Sequence, residues 1–288
     1  MITVMSAPPF ATIQDLGRSG FRDSGVPVSG VADRDAALTL NTVLGNEPNA
    51  AMIEWAVAGG TLKFEDAAVI AIGGAEASCT VRSTPVNEFT RIDVAPGDAL
   101  VVQRIVRGRF LLVAVRGGID VPLVLGSRST LLSAAFGGLE GRRLRNGDRL
   151  PIGRAVSSES GENGVAYARA LPPYNDAIHV MRGPQARLFD DSAWLDFLTT
   201  RFTVSLASDR TGYRLEGATL KHSGAPALPS EPVCVGAVQI PDGGSPIVIM
   251  HDGPTVGGYP KIAVIRRSCL SRFAQLAPGD GLQFAVGV

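Results

Sequence analysis

The chain has 288 residues, 45% of them hydrophobic, with 27 basic and 27 acidic side chains. Such a length suits about two domains of roughly 150 residues each, and the charge balance provides no overall field toward nucleic acid or an anionic membrane. Neither a basic leader with a long apolar core nor an uninterrupted membrane-length apolar run occurs, which predicts a cytoplasmic protein without a membrane span.

Taken in chain order, short apolar runs alternate with turn signals. The segments 67–72, 99–105, 110–115, 233–240, 246–250 and 262–265 are of strand length, and several are rich in valine and isoleucine. The 34 glycines and 19 prolines are spread along the chain, so they punctuate structure rather than mark disorder. A mainly β protein built of barrels is the expectation. Helix is limited to two places. Over 33–44, Ala36, Ala37, Leu40, Val43 and Leu44 share one face, and Gly45 is placed to end the helix. Over 185–199, Leu188, Trp194, Leu195 and Leu198 are expected to face inward.

Ala95-Pro96-Gly97-Asp98 recurs as Ala277-Pro278-Gly279-Asp280, with Arg145-Asn146-Gly147-Asp148 as a third relative. Common turn chemistry and a duplicated β unit explain this echo equally well. A polar, then proline-containing stretch over 155–175 is the best linker candidate, dividing the chain into domains 1–160 and 161–288. Three scattered cysteines without a C-x-x-C pair read as small buried residues in a reducing compartment. Three histidines without paired ligand spacing argue against a metal site.

Four stretches concentrate chemistry. Around Asp15 and Arg18, charged residues sit among glycines, either tying the loop to itself or holding a carboxylate or phosphate. From Ser208 to Gly217, alternation sends Tyr213 and Leu215 to one face and Arg214 and Glu216 to the other, with Arg210 at the preceding turn. Glu231 lies between two prolines on a stiff loop, as a proton donor or acceptor if enclosed and a surface turn otherwise. His251 to Lys261 reads HDGPTVGGYPK. Gly253 and Gly258 have the spacing of a phosphate loop, but Tyr259 stands where lysine is required and a β-branched run follows instead of a helix. Asp252 could move protons there, Thr255 and the amides at Gly257 and Gly258 could bind an oxyanion, and Lys261 could neutralise it. No serine nucleophile elbow occurs.

The phrases Gln14-Asp15-Leu16-Gly17-Arg18, Gly25-Val26-Pro27-Val28-Ser29-Gly30, Leu125-Gly126-Ser127-Arg128-Ser129-Thr130, Gly212-Tyr213-Arg214-Leu215-Glu216-Gly217, Ser230-Glu231 and Gly257-Gly258-Tyr259-Pro260-Lys261 resemble those of the KipA family. That family includes the C subunit of 5-oxoprolinase, allophanate hydrolase subunit 2 and part of the urea carboxylase carboxyltransferase domain. The resemblance implies two cyclophilin-like β-barrel domains with a few short helices, a KipI-like B subunit as partner, and an active site shared with it. Its leading functional implication is an ATP-using 5-oxoprolinase complex, completed by an A subunit, that opens the lactam of 5-oxoproline to glutamate. A second is carboxyl transfer from biotin on a partner carrier domain to urea or a related amide. A third is a non-catalytic regulator that binds a KipI-like kinase inhibitor. Under the first two, Glu231, Asp252 and Lys261 are the expected catalytic groups, and Asp15, Arg18, Arg210, Tyr213, Arg214, Thr255, Gly257, Gly258 and Tyr259 the expected substrate-binding ones. The family's Thr-Thr-Gly-Gly-Tyr-Pro is altered, because Val256 replaces the second threonine.

Overall fold

The computed structural model describes residues 1–155, 177–222 and 228–287, which form two compact units. One comprises Met1–Ser19 and Ser29–Leu171, the other Gly20–Val28 and Pro172–Val288. The expected linker lies almost wholly outside the described residues. Among the described residues no helix is long and apolar enough to cross a membrane. Among the described residues the fold is mainly β, with three short α-helices and two curled, barrel-like sheets.

The first unit carries β1 (Ile2–Ser6), β2 (Phe10–Gln14), α1 (Arg34–Leu44), β3 (Met52–Ala56), β4 (Gly60–Phe64), β5 (Ala68–Val81), β6 (Thr84–Pro85), β7 (Ile92–Val94), β8 (Ala99–Val115) and β9 (Arg149–Leu150). The strands follow the order β2-β3-β8-β4-β1-β9, and β5 pairs with β6, β7 and β8. The two strands expected at 99–105 and 110–115 are one, β8. Its first half pairs with β4 and its second with β3, while β5 runs along both through three register shifts. One long bent strand thus serves two parts of the sheet, and bulges let it coil. Arg104, Arg107 and Arg109 interrupt its apolar pattern without ending it. The sheet encloses Ile13, Ile53, Trp55, Leu62, Phe64, Ile72 and Leu111 among others. As the spacing predicts, α1 buries Ala36, Ala37, Leu40, Val43 and Leu44; Asp33 accepts from Ala36 N at 3.0 Å to cap its start, and Gly45 ends it in a left-handed conformation.

The second unit carries β10 (Ile178–Arg182), α2 (Asp191–Thr199), β11 (Phe202–Val204), β12 (Gly212–Glu216), β13 (Glu231–Pro232), β14 (Ala237–Gln239), β15 (Ile247–Ile249), β16 (Val256–Gly257), β17 (Lys261–Ile265), α3 (Arg267–Ala274), β18 (Gly281–Leu282) and β19 (Phe284–Val286). Eight strands follow the order β18-β11-β12-β15-β14-β17-β10-β19, and β13 with β16 forms a separate two-stranded ribbon. Phe197 of α2 stacks on Phe284 at a centroid distance of 4.5 Å, with Phe202 beside both.

Two helix expectations are corrected. The segment 185–199 is a 3-10 turn at Ala186–Leu188 followed by α2, so the inward face is Ala193, Trp194 and Phe197, while Leu195 is 59% exposed. The helix begins at Asp191, capped by Asp190, and Leu195 stands one 100° step beyond Trp194, off that stripe. Helix α3 adds to the two expected; Arg266 at its N-cap makes no side-chain capping bond, and the segment lacks a start signal.

The Pro-Gly-Asp echo has a repeated geometry. In each copy Asp98, Asp148 or Asp280 accepts from the amide of the residue three positions earlier at 2.7 Å. Each intervening glycine has φ near +90° and donates its amide to a strand carbonyl, at Phe64, Val4 or Val204 respectively. The side-chain-capped turn therefore also clips a neighbouring strand, which accounts for the recurrence.

Candidate functional site

Within the first unit, Asp15 is 2% exposed and its carboxylate accepts four hydrogen bonds, from Gly17 N (2.8 Å), Ser127 Oγ (2.6 Å), Ser129 Oγ (2.6 Å) and Arg128 N (2.7 Å). Four donors fill the acceptor capacity of a carboxylate. Arg18, 1% exposed, donates to the Ser129 carbonyl and lies over the Phe136 ring at 4.7 Å. Gln14 joins the same structure through Thr12, Thr130 and Gly30. Asp15 and Arg18, expected to bind substrate, brace the loop 127–130 against the end of β2, the self-tying arrangement that the sequence also allowed. That also explains the Leu-Gly-Ser-Arg-Ser-Thr phrase, whose hydroxyls and amide are the donors.

Within the second unit, the expected residues divide. Tyr213 is fully buried, donates its hydroxyl to Ala274 O at 2.6 Å and packs on Phe273. It serves as a core anchor, its hydroxyl already engaged. Arg214 points to the opposite, exposed face, as alternation requires. Arg210 and Asp252 form a two-pronged ion pair at 2.8 and 3.0 Å, reinforced by the Asp252 amide on the Arg210 carbonyl. Each is thus committed to the other, and together they pin the turn before β12 to the turn after β15.

The remaining residues converge. The ribbon pairs Glu231 with Gly257 and Pro232 with Val256, and the Thr255 carbonyl accepts from Val233 N at 2.9 Å. This brings the Glu231 loop beside the glycine motif. Lys261, at the start of β17, is 3% exposed and its ammonium lies 2.5 Å from Glu231 Oε1. Gln185 links the two, donating Nε2 to Glu231 at 2.7 Å and accepting from the Lys261 amide at 3.2 Å. The Lys261 ammonium, and then the Gln185 amide, hold the Glu231 carboxyl below the usual carboxylate range. Glu231 is therefore an anion at neutral pH, its side chain still 37% exposed and able to meet a ligand. Glu231 is the one ion-pair partner of Lys261 among the described residues. A buried cation paired with a carboxylate that still reaches solvent makes this a candidate functional site.

Gly257 lies against Gln239: a β-carbon there would be 2.8 Å from Gln239 Nε2. Gln239 is 4% exposed and pairs across the sheet with Lys261. Tyr259 is 48% exposed and Val256 52%, so the motif also presents an apolar rim. Of the residues expected from the sequence, Glu231, Thr255, Gly257, Gly258 and Lys261 come together here; Gln185 and Gln239, beside them, were not among those expected. For Gln239 a signal existed, a polar residue inside the apolar run Ala-Val-Gln-Ile; Gln185 offered none.

The loop 253–261 is no nucleotide cradle. It feeds β16 and β17, so no helix N-terminus collects amides toward a phosphate, and the one lysine is engaged by Glu231. Among the described residues no cluster of three or more His, Cys, Asp or Glu could hold a metal ion.

The chain is 36% identical over 284 residues to the 5-oxoprolinase C subunit of Escherichia coli, covering 99% of this chain and 90% of that protein. It is 33% identical over 303 residues to urea amidolyase of Lachancea kluyveri, covering 98% of this chain but 16% of the larger protein. The crystal structure of K. lactis urea amidolyase superposes with a TM-score of 0.92 at 31% identity, over all of this chain and 19% of that one. The profile of the carboxyltransferase domain, subdomain A and B, matches residues 24–286. The chain belongs to the carboxyltransferase domain, subdomain A and B, family.

Proposed function

We propose that this chain is the C subunit of an ATP-dependent 5-oxoprolinase, acting with an A subunit and a KipI-like B subunit to open 5-oxoproline to glutamate. The observation that carries this reading is the end-to-end correspondence with a separate protein of that name, 99% of one chain on 90% of the other. In this reading Lys261 holds the anionic oxygen that develops as the lactam carbonyl is attacked, since a buried cation in a dry site is worth more than one in water. Glu231, kept ionised by Lys261 and Gln185, accepts a proton from the attacking water and returns it to the lactam nitrogen as the C–N bond breaks. Thr255 and the amides of Gly257 and Gly258 line the approach, and exposed Arg214 and Tyr259 remain available to substrate or partner. ATP acts elsewhere in the complex, as loop 253–261 does not fit it.

A second reading, carboxyl transfer from a biotin carrier to urea or a related amide, is favoured by the TM-score of 0.92 to a urea amidolyase. Both readings place a small amide at the same Lys261–Glu231 pair. Co-expression with the neighbouring subunits, followed by assays of 5-oxoproline-dependent ATP hydrolysis and of carboxybiotin-dependent urea carboxylation, separates them; activity in neither assay overturns both.

A further inference from the structure

Gln239 is buried to within 4% of full enclosure, yet its Nε2 has no hydrogen-bond partner among the described residues. No hydrogen bond to its Oε1 is formed among them either. A buried amide without a partner has lost its hydration with no hydrogen bond in exchange, a deficit that a bound ligand can make good. Its surroundings point to a ligand. It stands on β14 directly across from Lys261 on β17, so both side chains rise from the same face of the sheet, about 5 Å apart at their β-carbons. Its Nε2 presses on Gly257, where even one methyl group would collide at 2.8 Å.

We propose that Gln239 binds the substrate through both amide atoms, Nε2 donating to the ligand carbonyl and Oε1 accepting from the ligand N–H. The inference rests on the small-amide reading above and deepens it. Two such bonds close only on an edge where N–H and C=O lie on the same side of the C–N bond. A five-membered lactam has that edge because the ring enforces it, and urea has it because each nitrogen carries a hydrogen on the carbonyl side. A trans secondary amide, the ordinary peptide form, lacks it. Gln239 thereby selects lactams and ureas over peptide-like amides, and one pocket can serve both proposed substrates.

The test titrates the full chain, labelled with 15N at glutamine side chains, with 2-pyrrolidinone, urea and N-methyl-2-pyrrolidinone, which lacks the N–H. The Gln239 resonances are assigned by their loss in Gln239→Glu and Gln239→Leu. Saturable shifts of the Gln239 amide with the first two ligands, and about tenfold weaker binding of the third, are expected for one lost hydrogen bond. Absence of any shift at Gln239, or equal affinity for the N-methyl compound, overturns the proposal. Thermal unfolding supplies a second readout. Gln239→Leu removes an unpartnered polar group, so it should keep or raise the unfolding midpoint while abolishing the response to urea; a lower midpoint with binding intact overturns a ligand role. A complex that turns over neither 5-oxoproline nor urea would defeat the functional reading but leave these binding results to stand or fall separately.

Discussion

Replacing Glu231 by glutamine separates stability from chemistry at the central pair. The substitution leaves the Lys261 ammonium, 3% exposed, without its carboxylate. Breaking a fully buried pair costs about 3–5 kcal/mol and an exposed pair at most about 1. Glu231 is 37% exposed on its side chain, so water can partly replace it, and an intermediate loss of about 2 kcal/mol follows. For a unit of this size that lowers the unfolding midpoint by about 4–8 °C. Lys261→Met should cost less, because the carboxylate left behind can rehydrate. The double variant Glu231→Gln/Lys261→Met removes both charges and should return to within about 1 kcal/mol of the parent, a favourable coupling visible in the cycle. Turnover in the reconstituted complex should behave oppositely, falling about a hundredfold or more in each single variant and staying low in the double. Scanning calorimetry and steady-state kinetics on the four proteins decide it. Additive stability losses, or activity restored in the double variant, would refute the pairing argument.

Asp15→Asn should cost about 3 kcal/mol, since a carboxylate holding four buried donors is replaced by a group that can accept fewer; a urea midpoint within error of the parent would count against the brace. Because the folded-state Glu231 carboxyl is held below its usual value, its contribution is present above about pH 4.5 and is lost as pH falls through the lowered value. The midpoint gap between parent and Glu231→Gln should thus be constant near neutrality and close on acidification. Gly183→Ala places a β-carbon 2.2 Å from the Lys261 carbonyl, displacing the start of β17; turnover should drop more than for Gly243→Ala, where nothing lies within 4 Å. Burial pushes the Cys79 thiol up to about 12, whereas Cys234 is exposed. A disulfide reagent should therefore modify Cys234 in the native chain and reach Cys79 only after unfolding, as mass mapping of the labelled peptides would establish.

Much of the fold was legible because its signals are local. The α1 face, its Asp33 and Gly45 ends, and the Tyr213/Leu215 alternation follow from spacing alone. What failed was non-local. The continuity of β8 depends on β5 pairing along its whole length, and the facing of α2 depends on Phe284, 87 positions after Phe197, which stacks on it. The site divides the same way. Glu231 and Lys261 stood out as charges among prolines and glycines, but their meeting rests on two-residue strands, β13 and β16, too short to leave a periodic trace. Asp15, Arg18 and Tyr213 carry functional-looking chemistry that the folded chain spends on holding loops and core together. Residue type suggests a role, but burial and partners are set by the fold and cannot be read from it.

The central claim is that the Lys261–Glu231 pair is where a small amide is processed. Lys261→Ala in the complex assembled from the neighbouring subunits, assayed for 5-oxoproline-dependent ATP hydrolysis and for carboxyl transfer to urea, tests it most directly. Loss of about a hundredfold in whichever activity the parent complex shows, with assembly intact, is the predicted result. Turnover equal to the parent would contradict it.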